Sequence, residues 1–185
     1  MGGRSRATHR KTSPESHPLS STWSLYAHSQ SDAATYRARY WCLLDVDTCE
    51  QWGAMVHHIP AAATIAEPRV SLRIYGHPVH SFSFFRDGVT PEWEHPRNES
   101  GYTLSARSVR TCADRARLWV DLLCECARGA LDDAVLGVQL SSRRGATAHF
   151  KIDVWCEKDA PLSCPALADW QRRHSLPLRP TVRKV

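Results

Sequence analysis

Ser81-Phe-Ser-Phe-Phe-Arg-Asp-Gly-Val-Thr-Pro-Glu-Trp-Glu94 is the stretch on which the reading of this chain turns. Ser81 to Phe85 reads as a strand, and Asp87-Gly88 turns the chain out of it into a loop. That loop ends on an indole beside a carboxylate, Trp93-Glu94. A tryptophan offers a flat π face, and an ionised carboxylate accepts two hydrogen bonds. Side by side they suit a planar group with adjacent N–H donors, such as the Watson–Crick edge of guanine. Trp-Glu pairs also close ordinary strand ends, so the other tryptophan segments have to decide.

Working outward, Trp23 to Tyr26 reads as a short strand and Thr35 to Val46 as a longer one. In the latter, Tyr36, Ala38, Tyr40, Cys42 and Leu44 alternate with Arg37, Arg39, Trp41 and Leu43. Thr48 with Gln51 reads as an N-cap and capping box, followed by Trp52, Met55, Val56 and Ile59 at helical spacing. Residues 60–79 are punctuated by Ala, Pro and Gly and hold a short strand or hairpin arm at 70–75. Tyr102 to Ala106 is a strand. From Ser108 to Arg128 an apolar stripe of Cys112, Ala116, Trp119, Leu122, Leu123 and Cys126 predicts a helix, and Gly129 stands where a C-cap is wanted. Leu136 to Leu140 and His149 to Cys156 are strands, and Pro165 to His174 is a last helix. Strands and helices do not alternate, so the fold class is α+β with a curved, largely antiparallel sheet. Residues 1–16 read as a disordered basic tail, 17–178 as one domain and 179–185 as a short basic tail.

Composition excludes several classes. The 185 residues suffice for one domain with a real core, and seven tryptophans leave some over for a ligand. The net charge of +5 suits a phosphate-bearing partner but lacks the dense basic stripe of a duplex binder. Seven cysteines without a Cys-x-x-Cys indicate neither a zinc site nor a disulfide framework, and free thiols fit a reducing compartment. No segment approaches the ~18 apolar residues of a membrane span, and no secretory h-region is present.

Two further aromatic sites join Trp93. On the strand His149 to Cys156, Phe150, Ile152, Val154 and Cys156 form a plain core face. Lys151, Asp153 and Trp155 share the other, with Lys151 about 13 Å from Trp155 along the ribbon. That is the distance from a stacked base to the far phosphates of its own polyphosphate chain. Arg143 and Arg144 sit on the preceding turn and are placed to join Lys151. Tyr36 follows a Ser/Asp-rich loop, at a junction from which an aromatic reaches over a cleft or turns into the core.

These segments together resemble the messenger-RNA cap-binding translation initiation factor 4E family. His17-Pro18-Leu19 with Trp23-Ser-Leu-Tyr26 is similar to its N-terminal signature. Asp47-Thr48-Cys49-Glu50 with Ala54 to Ile59 is similar to its first helix, and Phe85 to Glu94 to its cap loop. Trp119-Val-Asp-Leu-Leu with Asp132-Asp133 resembles its second helix and the segment just after that helix, and Ile152-Asp-Val-Trp155 its late strand. The matches are collinear from residue 17 to about 158. The resemblance implies a sheet like a cupped hand with about three helices on the convex back. It implies a 7-methylguanosine cap between Trp93 and Tyr36, Glu94 accepting the base donors and Trp155 at the N7-methyl. Lys151 with Arg143 or Arg144 would take the phosphates. It further implies a scaffold of the 4G type, or another helix-presenting protein, on a convex surface of His17, Pro18, Leu19, Cys49, Trp52, Val120, Asp121 and Cys124. Capped mRNA is the implied ligand, with no cofactor, no metal, no catalysis and no membrane, in the cytoplasm or also the nucleus.

The chain departs from the family at named places. Tyr36 stands where the first slab is usually Trp. The convex-face tryptophan of the first helix falls on Gly53, with Trp52 one position earlier. Residues 60–79 hold roughly ten more positions than the usual connection, and the family's C-terminal loop is short or missing. Three functions therefore stand side by side: a cap-binding initiation factor, a divergent paralogue with weak cap binding that acts as competitor or in another mRNA complex, and a hydrolase of capped nucleotides. For the last, no nucleophile–base–orienter set is visible.

Overall fold

The computed structural model describes residues 16–29, 40–58, 72–108, 112–143, 149–159 and 164–181. Eight strands and four helices follow in the order β1 (Pro18–Ser29), β2 (Tyr40–Thr48), α1 (Cys49–His58), β3 (Arg73–Ile74), β4 (His77–Arg86), α2 (Pro96–Glu99), β5 (Tyr102–Ser108), α3 (Cys112–Ala127), β6 (Val135–Arg143), β7 (His149–Cys156), α4 (Pro165–His174) and β8 (Arg179–Thr181). The sheet is antiparallel in the order β2-β1-β4-β6-β7-β5-β8, with β3 paired to β4. It is curved and open, with the α+β architecture of a cupped hand. One face meets α1, α3 and α4 in a single core built on Trp23, Phe84, Leu122, Ile152 and Trp170. No helix among the described residues is long and apolar enough to cross a membrane.

Local chemistry explains most boundaries. Thr48 Oγ1 accepts from Gln51 N at 3.2 Å, and Gln51 Oε1 accepts from Asp47 N at 2.8 Å, so the box closes one residue earlier than its usual form. Helix α3 ends as expected at Gly129 (φ 63), where Gly129 N bonds Cys126 O and Ala130 N bonds Glu125 O, a Schellman pair. Tyr75 and Gly76, both at positive φ, form the two-residue turn between β3 and β4. Three expectations change. The first strand is longer than Trp23 to Tyr26, because Pro18 and Leu19 join it. In β2 the register jumps between Tyr26↔Cys42 and Leu25↔Leu44, so Leu44 packs with Trp41 on the helix side instead of sharing a face with Tyr40 and Cys42. And β8 continues the sheet beyond residue 178, where a tail was expected, because its backbone pairs with β5.

Candidate functional site

The face away from the helices carries three rows of residues, fixed by the strand register. The first runs Asp45, Ser24, Phe85, Gly137, Trp155, Thr103, Thr181. The second runs Cys42, Tyr26, Ser83, Gln139, Asp153, Ser105, Arg179. The third runs Tyr40, His28, Ser81, Ser141, Lys151, Arg107. At one end of this surface Tyr26, Phe85, Val89, Leu136 and Trp155 form a small second core, against which Tyr40 and Trp93 pack. Gly137 makes it possible: a Cβ there would collide with the Phe85 ring, and without one Phe85 meets Trp155 edge to face at 5.5 Å. Trp93 leans on Trp155 with centroids 4.2 Å apart and planes tilted by 35°. Trp155 is buried, Trp93 half-buried and Glu94 exposed. An indole pair followed directly in the chain by an exposed carboxylate is thus held at the rim of the concave face.

A polar bracket sets the loop that carries Trp93. Asn98, buried in the one-turn helix α2, donates through Nδ2 to Thr90 O at 2.8 Å and Glu92 O at 2.7 Å. His95 donates from Nε2 to Gly88 O at 2.9 Å while its Nδ1 accepts from Arg97 N, capping α2 with Pro96 at its first position. At the strand end, the nearly buried Arg86 donates to Val135 O at 2.9 Å, to Ser21 Oγ at 3.0 Å and to Asp132 O at 3.3 Å. It pairs with Asp133 at 3.2 Å and lies over the Trp23 ring. Sequence reasoning missed Asn98, His95 and Arg86.

Of the other expected ligand residues, Lys151 lies on this face and pairs with Asp153 at 2.7 Å; Asp153, nearly buried, also accepts from Ser105 Oγ. Arg143 ends β6 opposite His149, where the chain leaves β6 for the connection to β7. Tyr36 and Arg144 lie outside the described residues. Deeper in the face, His28 shares a 2.7 Å hydrogen bond with Ser83 Oγ, and burial pushes its pKa down to about 4, so its ring is neutral. Burial also raises the Tyr26 hydroxyl.

The opposite, convex side carries an apolar groove of about 460 Å³ lined by Leu19, Cys49, Trp52, Gly53, Cys124, Ala127 and Arg128. A Cβ on Gly53 would meet nothing within 4 Å. Trp52 both lines this groove and packs against the main core, half-buried. Beside it, His17 Nδ1 meets Glu50 Oε1 at 2.6 Å, and this hydrogen bond is the main cause that lowers the Glu50 pKa to about 2. Cys49 N donates to His17 O at 2.8 Å, which fixes the start of β1 to the start of α1. Pro18 is exposed at that strand start, Val120 is half-buried on α3, and Asp121 bonds His174 at 2.9 Å. Of the eight residues assigned to this surface, Leu19, Cys49, Trp52 and Cys124 line the groove itself.

Comparison with known proteins closes on the same segments. The family model "eukaryotic initiation factor 4E" matches residues 18–176. Eukaryotic translation initiation factor 4E-1A of Danio rerio is 29% identical over 146 residues, 75% of this chain and 60% of that protein. The chain therefore spans about 60% of the length of this curated relative. In fold it is similar to C. elegans eIF4E-3 in complex with the 4E-binding protein Mextli, with a TM-score of 0.72 at 18% identity over 92% of this chain and 95% of that one. It is also similar to schistosome eIF4E complexed with m7GpppA and 4E-BP, with a TM-score of 0.67 at 20% identity over 89% and 88%. The family match starts on the first residue of β1, ends two residues past α4 and takes in both the Trp93 loop and the groove; by that span this chain belongs to the eukaryotic initiation factor 4E family.

Proposed function

We propose that this protein binds the 7-methylguanosine 5′ cap of mRNA on the concave face, as an initiation factor that recruits a helix-presenting partner through the convex groove. The observation that carries the proposal is the Trp93–Trp155 pair, followed directly in the chain by the exposed carboxylate of Glu94, on a loop clamped by Asn98. N7-methylation makes guanine a cation. Stacking on indole then gains a cation–π contribution of roughly 1–2 kcal/mol in a dry site. Glu94 accepts the two N–H donors of the base in a charge-assisted bidentate bond, adding roughly 1.5–3 kcal/mol. Trp93 with Tyr36 forms the sandwich, Trp155 meets the methyl group, and Lys151 with Arg143 or Arg144 holds phosphates. Nothing is broken or made in the ligand.

Trp93 covers Trp155 in this structure, and a base between two rings needs two gaps of about 3.5–4.0 Å. The ligand therefore uses the outer face of Trp93, or displaces that ring from Trp155. Tryptophan emission titrated with 7-methyl-GTP and GTP in parallel is the test: a marked quench with the first and little change with the second is expected, and equal affinity for both would remove the charge-reading sandwich. The second reading, a paralogue serving a different mRNA complex, is favoured by one observation. Gly53 leaves a cavity where the family's docking tryptophan stands, so the partner on this chain has to present a bulkier group than the family's usual one.

A further inference from the structure

The register places Arg107 of β5 directly opposite Lys151 of β7, and Arg179 of β8 directly opposite Ser105, all on the concave face. Directly opposed residues on neighbouring strands hold their Cβ atoms about 4.5–5.5 Å apart, and like charges so placed are destabilising. Asp153 relieves only one member, since it pairs with Lys151. The side chains of Arg107 and Arg179 are exposed and have no hydrogen-bond or ion-pair partner among the described residues. The face thus carries two uncompensated guanidinium groups just past the neutralised lysine.

Their position decides what they take. Lys151 lies about 13 Å from Trp155 along β7. Arg107 is one strand, about 4.8 Å, farther out in the same row, and Arg179 stands on the edge strand beyond, in the neighbouring row on the Trp155 side. Past the lysine, the cations run across the sheet from β7 to its edge, a route open to a polymer that continues beyond a bound end. Guanidinium forks match phosphate oxygens and need no particular base. Resting on the cap-binding reading, we infer that Arg107 and Arg179 form a second anion subsite that holds backbone phosphates of the RNA chain beyond the cap, without reading its sequence.

The test compares 7-methyl-GTP with a capped pentaribonucleotide, titrated against the full chain as wild type, Arg107→Ala, Arg107→Lys and the Arg107→Ala/Arg179→Ala pair. In the wild type the capped pentamer binds more tightly than 7-methyl-GTP. Arg107→Ala lowers that advantage about two- to fivefold, the pair abolishes it, and Arg107→Lys restores most of it. Each lost phosphate contact also flattens the slope of log affinity against log salt for the pentamer by about 0.7. Affinity for 7-methyl-GTP is unchanged in all three variants. If 7-methyl-GTP binds but the pentamer is no tighter, or keeps its advantage in the double variant, the subsite is overturned while cap binding stands. If Arg107→Ala weakens both ligands equally, Arg107 belongs to the cap's own phosphates and the subsite is again overturned. If the wild type binds neither ligand, the cap-binding reading fails and the subsite falls with it.

Discussion

The two faces of the sheet use tryptophan in opposite ways. On the helix side Trp23, Trp119 and Trp170 are sealed in the core, and the surface beside Trp52 opens to solvent because Gly53 contributes no side chain. On the concave side Trp93 and Trp155 sit at a rim, their positions set by hydrogen bonds from Asn98 and by the missing side chain of Gly137. One surface is shaped by polar restraint around aromatics, the other by the absence of a side chain at Gly53. The first suits a small charged ligand whose geometry must be met within tenths of an ångström. The second suits an apolar partner whose own bulk completes the fit.

Changes on the concave side therefore test chemistry, and changes on the convex side test shape. The largest effect is expected from Glu94→Ala, which should weaken 7-methyl-GTP by about ten- to a hundredfold, through loss of a charge-assisted bidentate bond. Glu94 is exposed, so thermal unfolding should be unchanged; unaltered affinity would remove this carboxylate from the site. Next is the pH response of the concave floor. His28 has a folded pKa of about 4 against 6.5 when unfolded, so between these values the unfolded chain binds the extra proton. Stability should be fully present above about pH 6.5 and fall as the pH drops toward 4. Denaturant midpoints for wild type and His28→Gln across that window check it, and parallel curves would show that the ring is not the titrating group.

Smaller effects separate the phosphate end from the base end. Lys151→Ala should cost about two- to fivefold for 7-methyl-GTP, leave 7-methylguanosine unchanged and reduce salt sensitivity. Equal losses with both ligands would mark Lys151 as structural, through its pair with Asp153. The smallest is Gly53→Ala. Its Cβ meets nothing, so the helix should gain about 0.5–1 kcal/mol with cap affinity untouched. A loss of stability would mean that the groove is narrower than its lining residues define.

Much of this was legible because strand alternation and helix caps are local. The His149 to Cys156 alternation sorts core from concave residues as observed, and Pro165 to His174 is helical over the span its Pro start and apolar spacing predict. The Thr48 and Gly129 caps were readable from single residues. The shift at Leu43 was not, because a bulge changes face without changing composition. Asn98 was invisible for another reason: its partners are backbone carbonyls, which any residue supplies. Arg86 was invisible because its partners, Ser21, Asp132, Asp133 and Val135, come from segments that only the fold brings together. Trp93, Glu94, Lys151 and Trp155 stood out by type. The charge balance among Lys151, Asp153 and Arg107 needed the register between strands more than forty residues apart.

The closeness of Trp93 to Trp155 has an optical consequence. Two indoles 4.2 Å apart and tilted by 35° are a skewed pair of transition dipoles, and their excited states mix. Such a pair imprints a two-lobed band on far-ultraviolet circular dichroism, on top of the backbone signal. A planar cation that enters on the outer side of Trp93 leaves the pair intact and the band in place, whereas one that parts the rings erases it. The protein thus carries a built-in chromophore couple that reports which of the two ways the slot is filled.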